Sequence, residues 1–69
     1  MVEVFKTDVY EMTDATTILS LLYEHFPDSR INFDLEDCDK VLRIEGENIV
    51  ISKVRTLIAQ QGFMCHELE

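Results

Sequence analysis

Positive charge is scarce in this chain. Six Lys and Arg residues stand against fourteen Asp and Glu, for a net charge of −8. The six are scattered, so nothing local overrides the repulsion between this chain and a phosphate backbone. That argues against a nucleic-acid partner, and the same sign argues against adsorption to an anionic membrane surface. No apolar run approaches the roughly 20 residues that a membrane span requires. The opening Met1-Val2-Glu3-Val4 lacks the basic and apolar regions of a signal peptide, which points to a cytoplasmic chain whose two cysteines stay reduced. There is no glycine-rich loop to cradle phosphate and no Ser or Cys with an evident base, so no enzyme is expected. Repeats, linkers and low-complexity stretches are absent too.

What is present fits one small folded unit. Sixty-nine residues make a single domain, 1–69, near the size at which one core is only marginally sufficient, and an apolar fraction of 46% rules out a disordered chain. Residues 2 to 9 mix β-branched, aromatic and charged side chains and read as a strand, with Phe5, Thr7 and Val9 on one face and Val2, Val4, Lys6 and Asp8 on the other. Thr13 then offers a helix N-cap, with Asp14 at the positive end of the helix dipole. Ala15, Ile18, Leu19, Leu22 and Phe26 form one apolar stripe at helical spacing until Pro27-Asp28 stops it.

From Arg30 the period changes to two. Ile31, Phe33 and Leu35 alternate with Asn32, Asp34 and Glu36, Asp37-Cys38-Asp39 turns the chain, and Leu42 and Ile44 continue a hairpin. Gly46-Glu47-Asn48 breaks it, with Asn48 as the expected cap of a second helix that buries Val50, Val54, Leu57 and Ile58. Gly62 ends that helix in a left-handed turn, and Phe63 to Leu68 forms a last strand. The order βαββαβ predicts an α+β fold, a ferredoxin-like two-layer sandwich with both helices on one face of an antiparallel sheet of order 4-1-3-2. In that fold the β1–α1 junction, the Asp37–Asp39 turn and the Gly62–Phe63 turn share one end, where a site is first sought.

The residues at that end resemble the heavy-metal-associated domain of copper chaperones and metal-transporting ATPases. That family opens with a strand and then Gly-Met-Thr-Cys-x-x-Cys, and closes with Gly-Tyr or Gly-Phe before its last strand. Here Met12-Thr13 and Gly62-Phe63 stand at the matching places, but Glu11 replaces the Gly, and Asp14 and Thr17 occupy the cysteine positions. The resemblance implies the fold and a degenerate site at Met12, Asp14 and Thr17. It implies no Cu(I) binding of the family's kind, because a carboxylate and a hydroxyl do not replace two thiolates around a soft cation.

Other candidate ligands are weighed against plainer roles. Asp14 reads as a dipole partner and Met12 as a core filler. The acidic run Asp34, Glu36, Asp37, Asp39 lacks Ca²⁺-loop spacing and reads as a solvated strand edge and turn. Cys38 and Cys65 belong to opposite edges of the predicted sheet, about 14 Å apart, too far for a disulfide or a shared metal. Adjacent Cys65 and His66 point to opposite faces of a strand, and His25 reads as a surface residue at a helix C-terminus. No cofactor is expected. The expectation is a non-catalytic interaction module with a protein partner or a weak homodimer, contacting through the acidic surface, the open sheet face or the free edge of the second strand. The alternative is a divergent metal-binding protein or metallochaperone using Cys65, His66, Cys38 or carboxylates.

Overall fold

The computed structural model describes residues 1–68. Its elements are β1 (Val2–Thr7), α1 (Met12–His25), β2 (Arg30–Asp34), β3 (Val41–Glu45), α2 (Ile51–Gln60) and β4 (Cys65–Glu67). The four strands form one antiparallel sheet in the order β2-β3-β1-β4, which is the expected 4-1-3-2 counted from the other edge. The register sets Phe5 beside Leu42 and Leu42 beside Phe33, and the alternation puts Ile31 and Ile44 on the same face. Against that face pack Ala15, Ile18 and Leu22 of α1 and Val54, Leu57 and Ile58 of α2, as the two periodicities require.

Several boundaries differ from the sequence expectation for identifiable reasons. Thr13 is not the cap of α1. The amide of Ala15 already donates to the Glu11 carbonyl at 3.0 Å, so the helix starts two residues earlier, and Glu11 holds the cap position without a side-chain bond. Met12 therefore opens the first turn of α1, where it is 69% exposed and fills no core. Asp14 keeps its place in the first turn of the helix.

β2 ends at Asp34, short of Leu35. Asp34 Oδ1 accepts the Glu36 amide at 3.2 Å and Asp37 Oδ1 accepts the Asp39 amide at 2.8 Å, two side-chain turns that compete with the ladder. Phe33 and Leu35 are consequently only half-buried. At α2 the cap lies two residues beyond the expected one: Asn48 adopts a left-handed φ of 57° instead of capping, Val50 takes the cap position, and Ile49 is buried while Val50 is 52% exposed.

Gly62 behaves as expected. With φ at 88°, its amide reaches the Ala59 carbonyl at 2.9 Å and the Phe63 amide reaches Ile58 at 3.3 Å, a Schellman closure that turns the chain toward β4. Gly46 is held for a different reason, since a Cβ there would lie 2.6 Å from Ser29 Oγ. No described helix is long and apolar enough to cross a membrane.

Candidate functional site

The three connections expected at one end of the sheet do meet there. Thr7 is buried because its hydroxyl donates to the Lys40 carbonyl at 2.6 Å and accepts the Val9 amide at 3.2 Å, while its own amide reaches Asp39 O at 3.0 Å. Asp8 Oδ1 accepts the Met64 amide at 2.8 Å and so ties the entry of β4 to the end of β1. This end is knitted shut by backbone and short side chains.

The junction residues do not converge on a vacant centre. Thr17 and Thr16 turn their hydroxyls back onto the helix, to Thr13 O at 3.0 Å and Met12 O at 2.9 Å. Met12 and Thr17 are exposed and Asp14 half-buried on the first turn and a half of α1. Their donor set is one thioether, one carboxylate and one hydroxyl, with the hydroxyl proton already committed.

The cysteines are both free. Cys38 is exposed in the β2–β3 turn, and Cys65 is buried in β4 at the other edge of the sheet. Burial pushes the Cys65 thiol up to about 11, against a smaller opposing pull from Arg55. A thiol so poised is a poor soft-metal ligand at neutral pH. His66, one step along, pairs with Lys6 on the opposite face. What the structure does assemble is Asp37, Cys38 and Asp39, whose ligand atoms lie within 4.8 Å of one another. Asp37 already accepts a backbone amide, and Asp39 lies 3.6 Å from Lys6 Nζ in the one ion pair among the described residues.

Two surfaces remain. The sheet face away from the helices carries, in cross-strand rows, Val2 with Glu45 and Arg30, then Val4 with Arg43 and Asn32, then Lys6 with His66. Arg43 donates to Asn32 Oδ1 at 3.2 Å. Val2 is 50% exposed and Val4 half-buried, whereas Val41 at the end of the face is buried. Of the chain's six cations and fourteen acids, the strands place Lys6, Arg30 and Arg43 on this face against Asp34 and Glu45, so the whole negative excess lies elsewhere.

The second surface is an open trough of about 420 Å³ between α2 and β4, where Arg55, Thr56 and Ala59 face Phe63, Met64 and Cys65. No carboxylate lines it. Sequence reading missed it because its walls are separate elements whose apposition is decided by the Gly62 turn, and because Arg55 looked only like the outer face of a helix. No protein-family model matches the chain, and no match is found among curated proteins or solved structures.

Proposed function

We propose that this chain is a non-catalytic interaction module: a ferredoxin-like sandwich on the heavy-metal-associated scaffold, kept for its surfaces after loss of the thiolates. The observation that carries the reading is the open sheet face, where exposed Val2 and half-buried Val4 sit among nearly balanced charges in a chain of net charge −8. A protein partner, or a second copy, meets least electrostatic repulsion there. Val4→Glu adds a charge at the middle of that face and weakens the contact with the fold intact. Sedimentation of wild type and variant at low and high salt tests this, and a wild type that is strictly monomeric and loses no partner on mutation defeats it.

A second reading, a divergent metal-binding protein, draws support from the proximity of Asp37, Cys38 and Asp39. Equilibrium dialysis against Zn²⁺ and Cu(I) under reducing conditions, repeated with Cys38→Ser and Cys65→Ser, separates the two. Under the first reading neither metal is retained. Asp14→Cys with Thr17→Cys, two positions adjacent on one helix face, then creates Cu(I) affinity if the resemblance at the junction holds.

A further inference from the structure

The two outer strands of the sheet are finished differently. In antiparallel pairing, alternate residues turn both backbone groups toward the neighbour and the others turn theirs away. On β2 the outward residue Ile31 is closed off: Tyr23 Oη accepts its amide at 3.0 Å and donates to its carbonyl at 3.2 Å. On β4, Leu68 donates to Val4 O at 2.8 Å and His66 stands opposite Lys6, so His66 and Leu68 face β1. Cys65 and Glu67 therefore present their N–H and C=O groups outward, and no partner meets them among the described residues.

Beside the Cys65 pair runs the trough of α2. Phe63, Met64 and Ala59 give it apolar lining, and Arg55 stands among its polar lining with Ser52, Thr56 and His66. Arg55 is exposed and makes no ion pair or side-chain hydrogen bond among the described residues. A guanidinium with five donors, next to an unclosed strand edge in a trough that no carboxylate lines, selects a planar anion.

We propose that the trough between α2 and β4 binds an extended, mainly apolar peptide segment of a partner protein, which adds to β4 as a fifth strand and sets one carboxylate against Arg55. The main-chain bonds go to Cys65 and Glu67, and alternate side chains of the segment enter the trough. This goes beyond the sheet-face reading, because it uses another surface and another recognition mode.

The global and local charges make opposite demands, and that gives the test its sign. A chain of net charge −8 attracts a basic peptide, whereas the trough favours an acidic one. The ¹⁵N-labelled full chain is titrated with blocked heptapeptides, acetyl-Val-Thr-Val-Thr-Glu-Thr-Val-amide, whose Glu shares a face with its Val residues, and its counterpart with Lys for Glu. The Glu peptide is expected to bind about tenfold tighter, shifting the amides of Cys65, Glu67 and α2, and Arg55→Gln abolishes the preference. N-methylation of alternate peptide amides is expected to eliminate binding in one phase and spare it in the other, which a purely electrostatic contact would not show. The proposal is overturned by equal or tighter binding of the Lys peptide, by N-methylation without phase, or by no binding of either peptide at about 1 mM. Shifts confined to Val4, Arg43 and their neighbours overturn it as well while preserving the sheet-face reading.

Discussion

β2 and β4 occupy equivalent positions at the rims of one sheet, yet one is guarded and the other is not. The guard on β2 is a single phenol, Tyr23 Oη, which bonds both outward groups of Ile31 and leaves only Phe33 with its pair free within that strand. β4 is shorter, three residues, and has a trough beside it in place of a guard. An exposed strand edge is a hazard that folded chains blunt where they have no use for it. The difference is that Tyr23 leaves only the Phe33 groups open on the β2 edge, whereas Cys65 and Glu67 are both open on β4.

The comparison rests on a shared core, so the largest expected effect destroys both rims together. Phe5 is fully buried where α1 and α2 cover the sheet, and Phe5→Ala is expected to cost about 3–5 kcal/mol, enough to unfold a domain of this size. Chemical denaturation checks it, and a two-state transition near the wild-type midpoint would show a second source of stability. Phe33→Ala on β2 is expected to cost about 1–2 kcal/mol, less than a fully buried aromatic, because the Asp34 and Asp37 turns end the strand before its side chain is covered.

Tyr23→Phe sharpens the contrast most directly. It leaves two part-buried backbone groups without a partner, an expected loss of about 1–2 kcal/mol. It also gives β2 the open rim that β4 already has, so concentration-dependent association in sedimentation should increase. Unchanged association would mean that the phenol guards nothing. Gly62→Ala is expected to cost about 1 kcal/mol. Nothing lies within 4 Å of the added methyl, so the φ of 88° is the whole penalty, and the approach to β4 is strained while β2 is untouched.

The smallest effect is chemical. At pH 8 Cys38, in the turn after β2, should react with a maleimide readily and Cys65, in β4, only on unfolding. The Cys65 thiol has its folded pKa raised above the ordinary 9.0 to about 11. Between those values the unfolded chain releases a proton that the folded chain keeps, so its contribution to stability is complete below pH 9 and lost as pH rises toward 11. A stability profile flat across that window for wild type, or the same slope in Cys65→Ser, would contradict the assignment.

Much of this was legible in residues whose neighbours in sequence decide their conformation. The two-residue alternation from Ile31, the stripe Ala15–Ile18–Leu22–Phe26 and the Gly62-Phe63 pair each located an element, because hydrophobic period and a positive φ are local facts, although β4 runs only from Cys65 to Glu67 and not from Phe63 to Leu68. Thr13 and Asn48 misled for the opposite reason. Both are good caps in isolation, but α1 starts from the Glu11 carbonyl and Asn48 is spent on a left-handed turn. The candidate site was less legible still. Tyr23 flanks a helical stripe and gives no sign that its hydroxyl meets a strand eight residues on, and Arg55 acquires meaning only when β4 arrives beside it.

That eight-residue separation bears on the order of folding. The Tyr23 bonds to Ile31 close a short loop, whereas the bond that anchors the entry of β4, Met64 to Asp8, spans 56 residues. Short loops close at lower entropic cost and earlier than long ones. On loop length alone, closure of the β2 rim by Tyr23 is expected ahead of the docking of β4, so any segment that adds to β4 is expected to meet an assembled sheet.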